Sequence, residues 1–148
     1  MEDENNGGVS YPKGAWVFHM LEDAMGSDAF QRAIRGYSRR SLAQPSGWDV
    51  LAECAQRYAP PDFDARAFLE PWLAGKRVPR LTAETDGHQV TIHQDPPGFL
   101  LPVTVEASTP QGVERHRVWI KGAATVVSFS ADPSDLRIDP DASLLLRR

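Results

Sequence analysis

The spacing of apolar residues changes half-way along the chain. Residues 12–75 carry Ala, Leu, Trp and Phe at the period of a helix, whereas residues 79–148 carry Val, Thr, Ile and Pro in short alternating runs. This change of period predicts an α+β protein, with a helical part followed by a separate β part. Gly75 can end a helix and Pro79 prevents the helix from resuming, so the junction is expected near these residues.

The first part, over residues 10–78, is predicted to contain about four helices, preceded by a disordered polar tail over residues 1–9. The first helix is expected over residues 12–25, because proline is tolerated in a first turn and Gly26 can follow a last turn. Ser27 is predicted to cap the second helix.

The third helix is expected to begin at Ser46, with Asp49 completing a capping box. The fourth is expected to begin near Asp64, and Pro71 should kink it or end it early. The side chains predicted to face the core are those of Ala15, Val17, Phe18, Leu21, Met25, Phe30, Ala33, Ile34, Tyr37, Trp48, Leu51, Ala52, Ala55, Ala67, Phe68, Trp72 and Leu73.

The second part, residues 79–148, is predicted to form six or seven short strands. Asp86-Gly87 is a strong hairpin signal, and residues 109–112 and 121–124 are further turns. Strands of this length and spacing predict a small β-sandwich with a Greek-key or immunoglobulin-like arrangement. The candidate strands are residues 80–85, 89–94, 101–107, 114–121, 124–130 and 136–138.

Composition narrows the protein class without naming a function. The 148 residues carry a net charge of −4, which gives no general attraction to nucleic acid. No apolar run approaches the roughly 20 residues of a membrane span, and the first eight residues are the reverse of a signal peptide. We therefore expect a globular, soluble chain, whose cellular localisation stays open.

Groups that could carry chemistry are scattered. Cys54 lies on the apolar side of a predicted helix and is interpreted as a buried, inert thiol. No second histidine follows His19 at helical spacing, and His88 and His93 are expected to point to opposite sides of a strand. With His116 elsewhere, the sequence predicts no metal site within the chain.

Nucleophiles and charged clusters give no stronger signal. Ser130 and Ser134 lack the Gly-x-Ser-x-Gly context of hydrolases. The carboxylates near the C-terminus are interpreted as solvated turn residues rather than a calcium loop; they are Asp132, Asp135, Asp139 and Asp141. The basic residues of the second helix are interpreted as a solvated face, with nucleic-acid binding as the weaker alternative; they are Arg32, Arg35, Arg39 and Arg40.

The stretch from Tyr11 to Leu21, "YPKGAWVFHML", resembles the tyrosine motif of zinc aminopeptidases of peptidase family M1, the aminopeptidase N type, with the pattern Tyr-x-Lys-Gly-Ala before an apolar helix. Further matches follow in the family's order. They are Gly26 and Phe30, the segment 46–50, "FLEPWLAGKRVPRL" with Arg77 or Val78 in place of a usual Gly before Pro79, "VTIHQDPPGFLLPVTVEASTPQG", "WIKG" and the ending "LRIDPDASLLLRR".

The resemblance implies the end of a catalytic domain followed by a β-domain. It implies that the Tyr11 phenol stabilises the oxyanion formed when a peptide bond is hydrolysed, while Lys13 and Gly14 shape the helix entry. The family's His-Glu-x-x-His zinc site and its Gly-x-Met-Glu-Asn loop do not occur in these residues. We therefore expect a C-terminal portion of a zinc aminopeptidase, inactive and without zinc by itself, whose partners are a peptide substrate and the missing catalytic portion.

Two alternatives remain open at this stage. The chain could be a non-catalytic, peptidase-derived binding module, in which Trp16 or Trp119 anchors a protein partner. It could also be an independent hydrolase whose site has no recognisable motif. Substrate preference and oligomeric state do not follow from the sequence.

Overall fold

The computed structural model describes residues 10–75 and 77–147, and in residues 10–12 it describes the backbone only. The described residues form two compact units, one ending at Ala74 and one beginning at Gly75. The first contains helices and the second contains strands, so the predicted α+β class is confirmed.

The helical unit consists of α1 (Ser10–Met25), α2 (Ser27–Ala43), α3 (Trp48–Tyr58) and α4 (Ala65–Leu73). None of these described helices combines the length and apolar character that a membrane crossing requires. Their shared core is formed by Val17, Met20, Leu21, Met25, Ala33, Leu51, Ala52, Cys54, Ala55, Phe63, Ala65, Phe68, Leu69 and Trp72.

Two predicted helix caps are wrong. Gly26, with φ of 88°, occupies the cap position of α2, and Ser27 instead donates a hydrogen bond to Glu22 at 2.9 Å. A single residue separates α1 from α2, and a left-handed residue at that place favours glycine. At α3 the cap position is likewise a glycine, Gly47, and not the predicted Ser46. The Ser46 hydroxyl donates to the Gln44 carbonyl instead of capping the helix.

The fourth helix begins as predicted. Asp64 caps α4, and its carboxylate accepts a hydrogen bond from the Ala67 N–H at 2.9 Å. Pro71 does not end the helix, because the Ala74 N–H still donates to the Glu70 carbonyl at 2.9 Å. So close to the end, proline removes one helical bond and leaves the last turn in place.

The predicted core faces need three corrections. Ala15 is exposed and Met20 is fully buried, so the buried stripe of α1 is rotated from the predicted one. Trp48 and Leu73 are 41% and 37% exposed. Both stand at helix ends, where fewer neighbouring side chains are available to cover a large residue.

The β unit consists of β1 (Arg80–Asp86), β2 (Gln89–Asp95), β3 (Leu101–Thr109), β4 (Gly112–Ile120), β5 (Ala124–Ser128) and β6 (Ser134–Ile138). They form two antiparallel three-stranded sheets with the orders β1-β2-β5 and β4-β3-β6. The predicted small β-sandwich is therefore confirmed.

Turns and crossings set the register of these sheets. Asp86 pairs with Gln89, so the hairpin turn is Gly87-His88, one residue later than predicted, with Gly87 at a φ of 58°. The link between β4 and β5 is no hairpin, since β4 pairs with β3 whereas β5 pairs with β2. The chain thus changes sheets at residues 121–123.

Alternation along the strands gives the β unit its core. The even-numbered residues of β2 and the odd-numbered residues 101–107 of β3 are buried, as alternation predicts, and Pro102 is buried as well. The buried apolar set is Val90, Ile92, Phe99, Leu101, Val103, Val105, Ala107, Ile120, Val127, Phe129 and Leu144, and one polar side chain, Gln94, lies among them.

Candidate functional site

The first turn of α1 carries the residue that the sequence singles out. Helix α1 begins at Ser10, so the backbone of Tyr11 is already helical. The phenol of Tyr11 lies outside the described side chains, and its catalytic role stays a prediction. What the structure describes is the helix that would support this residue.

That helix is fixed by its buried side. Val17 is 3% exposed, and Met20 and Leu21 are fully buried, two to three turns after Tyr11. On its flank, Phe18 contacts the rings of Phe30 and Trp48 at centroid distances of 6.4 and 6.1 Å. An apolar stripe of this kind holds the helix axis and therefore the position of its first turn.

Lys13, one turn into α1, has a perturbed pKa. It is half-buried, and this burial lowers the pKa of its ammonium group because the charged form loses water. Lys13 thus lies one turn from the start of α1, with its amine partly withdrawn from water.

The histidines of the β unit are divided among three carboxylates. His88 Nδ1 lies 2.7 Å from Asp132, His93 Nε2 lies 3.5 Å from Glu84, and His116 Nε2 lies 3.2 Å from Glu114. The prediction that His88 lies in a strand is wrong, because it stands in the hairpin turn.

Zinc requires three or four converging donors. Within residues 10–75 and 77–147, no three His, Cys, Asp or Glu side chains converge in this way. The described residues therefore do not fit a zinc ion.

One serine, one histidine and one glutamate meet where sequence analysis expected nothing. The Glu114 carboxylate accepts hydrogen bonds from the Ser130 hydroxyl and from the Ser130 N–H, the latter at 3.2 Å, and it contacts His116. These bonds, the hydroxyl first, lower the pKa of Glu114. This hydrogen-bond pattern does not suit nucleophilic catalysis, because the Ser130 hydroxyl donates to the carboxylate and not to the imidazole that would have to act as its base.

Asp132, Asp135 and Asp141 are exposed, as expected of solvated acids, whereas Asp139 is held in a hydrogen-bonded turn. Asp139 accepts hydrogen bonds from the N–H and hydroxyl of Ser143 and from the Leu144 N–H, at 2.8–3.0 Å. Leu144 behind this turn is 5% exposed. The Asp-Pro-Asp ending is thus a turn that seats a leucine in the core.

The predicted burial of Cys54 is confirmed. It is 6% exposed, and its sulfur lies 3.6 Å from the position that a β-carbon would take at Gly36 of α2. Of the two tryptophans considered as partner anchors, Trp16 is half-buried and Trp119 is 37% exposed.

A cleft of about 710 Å³ opens on the β unit, and the described residues of its wall include no Ser, Thr, Cys or Lys. The wall combines apolar side chains with an ion pair between Arg147 and Asp95 at 3.4 Å. The lining residues are Arg77, Val78, Asp95, Pro96, Leu145, Leu146 and Arg147.

Comparison with known proteins shows which proteins this chain resembles. No family model matches the chain. Aminopeptidase M1-C of Oryza sativa subsp. japonica is 28% identical over 97 residues, which are 63% of this chain and 10% of the relative. Probable aminopeptidase 1 of Sulfurisphaera tokodaii is 25% identical over 87 residues, 58% of this chain and 11% of the relative.

The fold matches over nearly the whole chain. Aminopeptidase A of Legionella pneumophila, solved in complex with aspartic acid, superposes with a TM-score of 0.69 at 15% identity, over 92% of this chain and 17% of that one. The chain spans about a tenth of the length of the curated relatives it matches. The predicted resemblance to aminopeptidases of the M1 type is therefore confirmed.

Proposed function

We propose that this chain is the C-terminal portion of an M1-type zinc aminopeptidase, which removes N-terminal residues from peptides, and that it supplies Tyr11 to the active site. The observation that carries the proposal is that α1 begins at Ser10, one residue before the Tyr-x-Lys-Gly-Ala motif, so that the whole motif lies in the helix. The similarity to M1 aminopeptidases over about three-fifths of the chain supports it.

The chemistry assigned to Tyr11 is electrostatic. When a peptide bond is attacked, negative charge develops on the carbonyl oxygen, and a donor already aimed at that oxygen binds the transition state more tightly than the substrate. A phenol in the first turn of a helix is close to its own backbone. The buried Val17, Met20 and Leu21 keep that backbone in position at no cost during the reaction.

The metal belongs to another part of the proposed parent enzyme. M1 aminopeptidases use zinc, and the described histidines of the β unit each lie within 3.5 Å of a separate carboxylate rather than near one another. In the proposal, this chain contributes the donor at one wall of the cleft, and the metal ligands come from residues outside this sequence.

The decisive experiment joins this chain to a zinc-bearing aminopeptidase portion that restores activity. Tyr11→Phe removes one hydroxyl and keeps the ring, so folding and substrate binding should change little. Loss of one oxyanion donor lowers kcat by about 10²–10³, or roughly 2.7–4 kcal/mol. Because the bond exists in the transition state only, kcat and kcat/KM should fall together while KM stays nearly constant.

A matched control is available in the same unit. Tyr58, at the end of α3, is 36% exposed, and Tyr58→Phe should leave the kinetics unchanged. If Tyr11→Phe retains a kcat within about threefold of the parent, a change far below the cost of a lost oxyanion donor, the role assigned to Tyr11 is wrong.

The chain by itself gives a second test. Without the partner portion, it should hydrolyse no aminoacyl chromogenic substrate and should retain no stoichiometric zinc after dialysis, as measured by elemental analysis. One tightly held zinc per chain, together with hydrolysis, would instead favour an independent hydrolase.

A further inference from the structure

Helix α2 presents an exposed row of arginines that the proposed aminopeptidase role does not use. Arg32, Arg35, Arg39 and Leu42 are all exposed, and Leu42 reaches 90%. Their spacing of three, four and three residues puts them on one side of the helix, opposite the buried Ala33. At a rise of 1.5 Å per residue, this arginine face is about 15 Å long.

These arginines differ from other arginines of the helical unit. Arg40 and Arg66 each hold a carboxylate, of Glu53 at 2.9 Å and of Asp49 at 2.8 Å. Arg32, Arg35 and Arg39 make no ion pair or side-chain hydrogen bond with any other residue in the described part of the chain. Helix α2 therefore carries a net charge of +3 within a protein whose net charge is −4.

We propose that the arginine face of α2 binds an acidic amphipathic helix of a partner protein. Three-four spacing is the repeat by which two helices pack along a seam, so an opposing helix with carboxylates at the same spacing meets all three guanidinium groups. Arginine can bind carboxylates through two parallel N–H donors, and it is enriched among the residues that dominate protein interfaces.

Leu42 and Asp28 favour this occupant over others. Leu42 continues the seam and offers an apolar surface. An amphipathic helix can pack an apolar side chain on it, whereas a phosphate backbone cannot. Asp28, one turn before Arg32, is an exposed acid on the same side and would repel a continuous polyanion. A second copy of the chain is disfavoured too, since a symmetric pair would bring arginines against arginines.

The inference is independent of the aminopeptidase proposal and is tested on the complete 148-residue chain. The probe is a labelled helical peptide of about three turns, in which three glutamates at the seam spacing are flanked by leucines. A second peptide has the same composition, with its glutamates spread around the helix. Binding is followed by fluorescence anisotropy, and the contacted residues are mapped by backbone amide chemical shifts.

We expect the patterned peptide to bind, with shifts concentrated in α2, and to weaken as salt rises. Each exposed ion pair contributes little binding free energy, so Arg35→Gln should weaken binding about two- to fivefold. The triple variant Arg32→Gln, Arg35→Gln, Arg39→Gln should weaken it at least about tenfold. Asp28→Asn removes the acid beside the seam and should tighten it.

The control variant is Arg57→Gln. Arg57 lies on α3, over the ring of Tyr58 at 5.8 Å, and losing it changes the net charge as Arg35→Gln does. Circular dichroism and thermal melting confirm that each variant folds. Equal binding of both peptides, an equal loss in Arg57→Gln, or tighter arginine-dependent binding of a single-stranded oligonucleotide would each overturn the proposal.

Discussion

In each of the two units, one glutamine side chain fixes a connecting segment. Its amide donates a hydrogen bond to a backbone carbonyl of the segment and accepts one from a backbone N–H. In the helical unit, Gln56 donates to the Phe63 carbonyl at 2.8 Å and accepts from the Ala65 N–H at 2.8 Å. In the β unit, Gln94 donates to the Phe99 carbonyl at 3.0 Å and accepts from the Phe99 N–H at 2.7 Å.

The two glutamines differ in their burial and in how far along the sequence their partners lie. Gln94 is 4% exposed and also donates to the Gly122 carbonyl, 28 residues away, whereas Gln56 is exposed and bonds residues seven and nine positions away. Water can replace the bonds of an exposed amide but not those of a buried one. The β unit should therefore depend far more on its glutamine than the helical unit does.

The largest expected effect is that of Gln94→Leu. The bonds to Phe99 and Gly122 are lost in a place that water does not reach, so the free energy of unfolding should fall by about 3 kcal/mol. Residue-resolved hydrogen exchange of the β unit measures it, since two units need not unfold together. Gln89→Leu on the exposed side of β2 is the control, and equal protection in both variants would contradict the comparison.

Gln56→Leu should cost about 1.5 kcal/mol, because solvent can partly satisfy the backbone groups at Phe63 and Ala65. The change should appear in the amides around α3 and α4. Gln31→Leu, on the exposed side of α2, gives the baseline for losing an exposed glutamine. A loss as large as that of Gln94→Leu would remove burial as the explanation of the difference.

A smaller effect is expected at the cap of α4. Asp64→Ala removes the acceptor of the Ala67 N–H and should lower the free energy of unfolding of the helical unit by about 1 kcal/mol. Asp62→Ala, in the preceding turn, keeps this cap and should be nearly neutral. Chemical denaturation followed by amide resonances of α4 separates the two, and equal losses would deny Asp64 its capping role.

The smallest effect depends on pH. Hydrogen bonds from Ser130 and His116 lower the folded-state pKa of Glu114 below the value of an unfolded chain. Its stabilisation is therefore fully present above the ordinary glutamate pKa of about 4.3 and is lost as the pH falls through the lowered pKa.

Glu114→Gln cannot ionise, so the difference in melting temperature between this variant and the parent should shrink on acidification. Melting curves between about pH 6 and pH 2.5 measure it, across the range in which carboxylates titrate. A difference that stays constant for Glu114→Gln across this range would contradict the assignment.

Local rules determined much of this protein. The switch from helical to alternating spacing predicts the order of the elements, and Asp64 predicts the start of α4 from its own side chain and the next turn. The motif from Tyr11 to Leu21 is one continuous stretch, and together with the later segments that follow in order it predicts the resemblance to the relatives. These signals succeed because each depends on residues within a few positions of one another.

Tertiary structure determined which residues far apart in the sequence are hydrogen-bonded to each other. Gln94 binds Gly122, Glu114 binds Ser130, and Arg115 binds Asp141, across 28, 16 and 26 positions. A strand pattern carries no information about such pairs, since the partner is chosen by sheet order. The burial of Met20 also depends on tertiary structure, because helix packing selects which part of a broad apolar stripe is covered.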